Sequence, residues 1–421
     1  MISSFLNPPR SWFPNAPKIF NWAGWLFLRI LGALAGFRGQ GLENFPKKGP
    51  CLVIVPHVNF IDPLFLIATL PRPPHFIADA FFTFRHPVLA WAMWINGTVP
   101  VERSHPDVYA VRQYLRLLAK GEVCVLFPEG GRNLDGEVLA PTIQAVKLIA
   151  KCNVPVVTCV IEGAYDAWPK WDPTFRLPWG KINVRYAGIF KQEGSAPPSK
   201  NGFWWNPIYD RKTKIDIAQE REKIKQALAT ASRQESANIV LTRSKRPQAI
   251  SNLLCFCPVC GTPNGLTWNN SDKKLICSKC KITFGIENAD LIANAPTGFI
   301  KHPLPNWFKI MVQTVTQKKN EECFIATKTT AQVTELKKPK PAQEAASLRI
   351  DQFGFSLRTE SGLMFQIPLK IAAKASAKGS SVIEISYQNK LITVHSQEGN
   401  IIPWVILTRK LAGWKDFFAE N

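Results

Sequence analysis

From residue 51 onward the chain alternates short apolar runs with helix-length segments, and this alternation restricts the possible folds more than any other feature. CLVIV, HFIA and EVCVLF have strand character; PLFLIATL, HPVLAWAMWI and VYAVRQYLRLLAK have helical length; the pattern continues through TIQAVKLIAKC, PVVTCVI and KINVRYAGIF. Strands interleaved with helices pack as an α/β layer, with helices covering the sheet. A polar helix over about 212–232 is expected to close this unit, which therefore spans 41–240. At roughly 100–200 residues per domain, 421 residues call for more than one domain. A content of 46% hydrophobic and 20% charged residues excludes a disordered or coiled-coil chain. The net charge of +21 predicts an anionic partner: nucleic acid, phospholipid headgroups or a phosphorylated substrate.

The longest apolar stretch, residues 19–37, is broken only by Asn21 and Arg29. Nineteen residues at about 1.5 Å each reach roughly 28 Å, barely a bilayer core. A central Arg29 would cost about 2.5–3.5 kcal/mol in a span. Trp12, Trp22 and Trp25 crowd one end. Residues 1–40 are therefore expected to lie in a membrane interface, on an anionic surface. A single span and a signal peptide, with Ala33-Leu34-Ala35 as its cleavage site, are the competing readings, and Arg29 counts against both.

Ten cysteines are too few for a disulfide scaffold, and four fall in paired CxxC spacing. Cys257 and Cys260, sixteen intervening residues, then Cys277 and Cys280 match a zinc ribbon over 250–290. Four thiolates around Zn²⁺ leave no position for water, so the ion is expected to be structural. Cys255 reads as a bystander, and unmetallated packed cysteines are the alternative. The final segment, 300–421, carries short alternating runs (SLRI, GFSLRT, LMFQIPL, SVIEISY, LITVHS) and ends with Trp404, Leu407, Leu411, Trp414 and Phe418 at helical spacing. This predicts a mainly β barrel closed by one helix, similar to a pleckstrin-homology or GRAM domain on pattern alone.

Four motifs carry the candidate chemistry. PHVNFIDP sets His57 and Asp62 just after an apolar strand, where a carboxylate on one ring nitrogen can make the other a base. Taken alone, such a pair more often caps a turn. NGTVPVERS holds Gly97 and Arg103, LFPEGGRN holds Glu129, Gly130 and Arg132, and VPVV occupies 154–157. The bland alternatives are a surface ion pair for Arg103 and a mutual salt bridge for Glu129 and Arg132.

In this order and spacing, the four motifs resemble the blocks of the glycerolipid acyltransferases of the 1-acylglycerol-3-phosphate acyltransferase type, over roughly residues 20–235. Pro56, Gly131, Asn133 and Thr158 depart from the family pattern, but none removes a charged or proton-transferring group. The resemblance implies that His57 acts as general base with Asp62 orienting it. It also implies that Gly97, Arg103, Glu129, Gly130 and Arg132 bind the acceptor, a lysophosphatidate or lysophospholipid. The acyl donor would be acyl-CoA or an acyl carrier protein. It further implies work on the cytoplasmic face of a membrane by a peripheral or monotopic protein, with nucleic acid not a partner. A catalytically silent lipid-binding adaptor on the same fold is the alternative. His75, His86 and His105 receive no role. Because the cysteines lie outside the four blocks, acyl transfer is expected to be separable from the ribbon.

Overall fold

The computed structural model describes residues 10–13, 15–84, 87–101, 107–175, 181–191, 215–232, 246–295, 298–317, 324–335, 343–351, 353–373, 375–378, 382–388, 390–396, 405–406, 408–409 and 412. The first sheet comprises β1 (Arg38–Gln40), β2 (Cys51–Ile54), β3 (Pro74–Asp79), β4 (Val99–Val101), β5 (Val123–Leu126), β6 (Val156–Glu162) and β7 (Asn183–Lys191). Their order across the sheet is β1-β7-β6-β2-β5-β3-β4. Strands β6, β2, β5, β3 and β4 run parallel, and β7 pairs antiparallel with β6.

The apolar runs are continuous because both faces of the sheet are covered. Val53, Val125 and Val157 point into one core, whereas their neighbours Leu52, Ile54, Cys124 and Val156 point into a second core on the other side. That second core is closed by the helices Val108–Ala119, Ile143–Lys151 and Ile217–Ser232. This is how a buried parallel sheet hides its period-2 alternation in an all-apolar sequence.

Arg29 has a structural explanation. The helix Lys18–Leu34 lies against the helix Asp62–Thr69, with Gly32 so close to Ala68 that a Cβ there would come within 2.4 Å of the alanine methyl. From this contact Arg29 donates to the carbonyls of Leu70 (2.8 Å) and Thr69 (3.3 Å), and Trp25 Nε1 also donates to Leu70 O (3.1 Å). These carbonyls lie at the helix terminus, where no intrahelical donor is left for them. The charge faces inward, and the outward stripe of Ile19, Ala23, Leu26, Phe27, Ile30 and Leu34 is apolar and exposed. Among the described residues, no helix is long and apolar enough to cross a membrane.

The two C-terminal units depart from the expected boundaries. The segment expected to be a zinc ribbon, called the ribbon below, folds as a five-stranded antiparallel sheet, β8 (Leu266–Asn269), β9 (Lys274–Cys277), β10 (Thr283–Glu287), β11 (Asp290–Ala295) and β12 (Gly298–Pro303), followed by a helix, Leu304–Gln317. It thus extends past residue 290 and takes in what was expected to begin the barrel. Leu304, Phe308, Met311 and Val315, one stripe of that helix, join the ribbon and the first sheet in a single hydrophobic core. The last unit begins at β13 (Phe324–Glu335) and continues through β14 (Glu344–Asp351), β15 (Gly354–Thr359), β16 (Met364–Pro368), β17 (Ser376–Lys378), β18 (Val382–Tyr387) and β19 (Lys390–Ser396). Its order is β16-β15-β14-β13-β19-β18-β17, an antiparallel half-barrel sheet in which, among the described residues, β16 and β17 form the edges; a barrel closed by one helix was expected. Val405 packs into its core, whereas Trp404, Leu407, Leu411, Trp414 and Phe418 lie outside the described residues.

Replacing Arg29 by Ala is expected to leave the Thr69 and Leu70 carbonyls short of donors. A loss of about 1.5–3 kcal/mol, typical of hydrogen bonds from a charged donor, should appear in urea unfolding followed by tryptophan fluorescence.

Candidate functional site

The chain order of the strands creates a crevice. From β2 the chain crosses to β3 on one side; from β5 it crosses to β6 on the other, passing over β2. Connections leaving two neighbouring parallel strands in opposite directions part at their carboxyl ends, the usual ligand position in open α/β sheets. The loop after β2 carries His57, and the loop after β5 carries Glu129, Gly130 and Arg132.

His57 and Asp62 meet there. His57 Nδ1 lies 2.9 Å from Asp62 Oδ2, and the same oxygen accepts from the backbone N–H groups of Val58 and Asn59, both at 2.9 Å. Asp62 is fully buried and opens the helix Asp62–Thr69, with Pro63 in the first turn. Its negative charge at that position is favoured by the helix dipole. The pair therefore both caps a turn and forms a dyad. A carboxylate can only accept, so Nδ1 carries the hydrogen and Nε2 keeps its lone pair. The imidazole is half-buried and stacks on Phe127 with ring centroids 4.2 Å apart. Asn59 steadies the loop by donating to Ala164 O (2.7 Å).

The loop after β5 is tied to the first one, since Asn133 N donates to His57 O (2.9 Å). Glu129 turns inward. Its Oε1 accepts from Leu139 N (3.1 Å), and burial drives its pKa well above the ordinary carboxylate range, against the pull of the Leu139 and His57 amides. Burial thus disfavours the charged form of Glu129, and its bond to Leu139 N braces the loop from behind. Gly130 is left-handed, with φ 77°. The Arg132 guanidinium lies over the Phe60 ring at 5.5 Å, and burial lowers its pKa while the charge of Asp62 raises it. Among the described residues, Glu129 and Arg132 form no salt bridge. Asp135, further along the loop, is pushed up to about 6 by burial.

Gly97 does not join this group. It precedes β4, at the amino end of the parallel strands, with φ 63°, and a Cβ there would fall 2.3 Å from Nδ1 of His75. His75 is buried, bonds to Gly97 O (2.9 Å), and has its pKa lowered, chiefly by burial. The pair closes a turn and explains the glycine without a substrate. Arg103, His86 and His105 lie outside the described residues.

The four cysteines converge. The sulfurs of Cys257, Cys260, Cys277 and Cys280 lie within 4.8 Å of one another, with Cys257 to Cys280 at 3.8 Å and Cys260 to Cys277 at 3.6 Å. A tetrahedral ion with bonds of about 2.3 Å sets its sulfurs roughly 3.8 Å apart. Both knuckles close alike: Gly261 N donates to Cys257 O and Lys281 N to Cys277 O, with Gly261 and Lys281 left-handed. The donor set thus fits a tetrahedral thiolate-bound metal, and Cys255, buried, stands apart from it.

Sequence reasoning missed Phe127, whose only signal is its place at the end of β5. It also missed Arg246, although Arg246-Pro247 opens the helical run QAISNLL.

Comparison with known proteins places the first sheet in context. The Acyltransferase family model matches residues 36–162. The 1-acyl-sn-glycerol-3-phosphate acyltransferase BAT2, chloroplastic, of Brassica napus is 34% identical over 133 residues, 31% of this chain and 38% of that protein. The human 1-acyl-sn-glycerol-3-phosphate acyltransferase alpha is 26% identical over 225 residues, 45% of this chain and 78% of that protein. The chain covers 38% of the length of the Brassica napus protein and 37% of that of the 1-acyl-sn-glycerol-3-phosphate acyltransferase LPAT1, chloroplastic, of Arabidopsis thaliana, less than two-fifths of each. A crystal structure of the 1-acyl-sn-glycerophosphate acyltransferase PlsC from Thermotoga maritima is 19% identical, covering 52% of this chain and 81% of that one with a TM-score of 0.37.

Gly97→Ala is expected to lower stability by about 1–2 kcal/mol or more, from its left-handed backbone and the clash with His75, with little effect on any ligand affinity. Equilibrium unfolding and ligand titration separate the two. A second expectation concerns pH. Asp135 and Glu129 have folded pKa values above their unfolded ones, so the stability they contribute is full below about pH 4 and is lost as pH rises, for Asp135 through about 6. Asp135→Asn should flatten that part of the slope in thermal melts run between pH 4 and 7.

Proposed function

We propose that this chain, which carries an acyltransferase domain of the 1-acylglycerol-3-phosphate acyltransferase type, moves an acyl chain from acyl-CoA or an acylated carrier protein to the free hydroxyl of a lysophosphatidate or related lysophospholipid. The observation that carries the proposal is the 2.9 Å contact between His57 Nδ1 and the buried Asp62, in the crevice between the carboxyl ends of β2 and β5. In this reading Nε2 takes the acceptor's hydroxyl proton as the oxygen attacks the thioester carbonyl. The tetrahedral intermediate then collapses, the C–S bond breaks, and the imidazolium returns its proton to the departing thiolate. Asp62 holds the ring in the right tautomer and stabilises the imidazolium. General-base help of this kind is worth about 10²- to 10⁴-fold in rate.

Arg132, at the rim of the crevice beside Phe60, supplies the planar charged fork for the acceptor phosphate, and Arg103 is assigned the same task. Glu129 and Gly130 shape the loop from behind. The exposed apolar stripe of the helix Lys18–Leu34 would rest in the lipid from which the acceptor comes, on the cytoplasmic face, and the excess positive charge favours an anionic surface. The four cysteines would hold a structural Zn²⁺, and the last sheet would serve as a pleckstrin-homology-like binding module.

The full chain, reconstituted with vesicles, should acylate lysophosphatidate in preference to a non-phosphorylated monoacylglycerol, with labelled acyl-CoA and acyl carrier protein offered separately and products read by mass spectrometry. His57→Ala is expected to lose at least about a hundredfold in turnover while still binding vesicles, and Asp62→Asn should be similarly impaired. Arg132→Ala should weaken use of the phosphorylated acceptor by about ten- to a hundredfold and leave the donor's KM nearly unchanged. Absence of product with every acceptor, alongside intact lipid binding, would transfer the protein to the silent-adaptor reading. Metal analysis should find about one zinc per chain, removed together with ribbon structure by Cys277→Ser.

A further inference from the structure

The ribbon was expected to be a separable appendage, but its contacts run into the loop that supports the candidate site. The helix Arg246–Leu253, which leads into the first cysteine knuckle, begins with an arginine that is fully buried. Arg246 donates from Nε to Asp172 Oδ2 (3.0 Å), from Nη1 to Asp166 Oδ1 (2.8 Å) and from Nη2 to the backbone oxygen of Asp166 (2.7 Å). Six residues on, Asn252 Nδ2 donates to Trp171 O (3.1 Å). These partners belong to the segment after β6, in the acyltransferase domain.

From there the connection is continuous. Trp171 Nε1 donates to the Tyr165 hydroxyl (3.0 Å), which donates to Leu134 O (2.7 Å) in the loop after β5. The Tyr165 ring also closes on Gly136, where a Cβ would come within 2.9–3.0 Å of it. A second contact reaches the same loop from the far end of the ribbon, where Lys309 on the helix Leu304–Gln317 pairs with Glu137 (2.6 Å). The loop so gripped is the one whose Asn133 N–H holds the His57 carbonyl and whose Arg132 lies over Phe60 of the loop after β2. Leu134, Tyr165 and Trp171 share one hydrophobic core with Leu253, Cys257, Cys277 and Met311.

We infer that the four-cysteine ribbon is the clamp that seats the loop at 129–142 beside His57, with Arg246 as its positioning residue, so that metal-dependent folding of the ribbon sets the competence of the acyltransferase site. The inference rests on the proposed function for its catalytic consequence but not for its structural one. Arg246 touches no reacting atom. It acts through Asp166, Asp172 and the Trp171 to Tyr165 relay, and the ion acts only by keeping the ribbon folded. Chain truncation near residue 240 would remove this clamp together with the ribbon, which reverses the expectation of separability.

The test is amide hydrogen exchange on the full chain, wild type and Arg246→Gln, with and without a zinc chelator. Chelation and Arg246→Gln are each expected to speed exchange at Asn133, Gly136, Leu139 and Thr142 at least about tenfold, while Val53, Val125 and Val157 in the sheet stay protected. Arg246→Gln should keep its zinc, since all four cysteines remain, and Arg246→Lys should restore part of the protection because it retains the charge without the fork. In kinetics, Arg246→Gln should raise the KM for the lysolipid acceptor severalfold more than that for the acyl donor, a split that general destabilisation does not produce. Loop exchange unchanged when the ribbon loosens overturns the inference. If Arg246→Gln unfolds the sheet as well, Asn252→Ala and Lys309→Ala each remove one grip with Arg246 still paired, and unaltered loop exchange in both would also overturn it. A wild-type protein without acyl transfer would sink the proposed function while leaving the exchange result to decide the clamp.

Discussion

The buried carboxylate of Asp62 is the interaction on which the candidate site depends. One of its oxygens accepts from two backbone amides and the His57 ring, so the conformation that ends β2 and starts the next helix is the same one that orients the imidazole. A buried charge is costly unless several donors satisfy it, and here turn, helix terminus and histidine share that task. Removing the carboxylate would therefore disturb fold and chemistry together, whereas removing the imidazole leaves the turn its two amide bonds.

The sheet determines what can face that dyad. Because β5 lies beside β2 and the chain leaves the two strands in opposite directions, the loop that follows β5 comes to lie against His57, with Asn133 N donating to His57 O. This loop is long, running from 127 to 142, and most of its inward polar groups are spent on holding itself: Glu129 on Leu139, Asn133 on Gly136, Pro128 on Thr142. Arg132 is the exception: its charge lies over the exposed Phe60 ring, and among the described residues it makes no ion pair. A loop that is rigid behind and cationic in front suits recognition of an anion.

What could be read from the sequence was what is local. The strand and helix alternation survives because each strand is buried on both faces, and the His57 and Asp62 pair could be recognised because only four residues of turn lie between them. The cysteine spacing was legible for the same reason, two short knuckles each closing on itself. The place of Gly97 could not be read, because the His75 ring packed against it comes from another strand. Arg246 was invisible because its partners lie 74 and 80 residues earlier. The boundary after residue 290 was misplaced because β12, with exposed Phe299 and Ile300, resembles any short apolar run, although the stripe Leu304, Phe308, Met311, Val315 marks the helix that ends the ribbon.

The contact between the cysteine-bearing unit and the domain of the first sheet combines two kinds of force that do different work. Apolar burial from Leu253 to Met311 favours association but is indifferent to small rotations. The Arg246 fork is not, since it must meet Asp172 and both the carboxylate and the carbonyl of Asp166 at once. Buried ion pairs add little net stability compared with apolar replacements, yet a mispaired one is penalised heavily, so the arginine selects one seat among those that hydrophobic contact alone would allow. That division matters at the crevice, where a shift of about 1 Å in a supporting loop can cost two orders of magnitude in rate. An apolar interface would keep the ribbon attached; the charged fork keeps the relay through Trp171 and Tyr165 to Leu134 in register with His57.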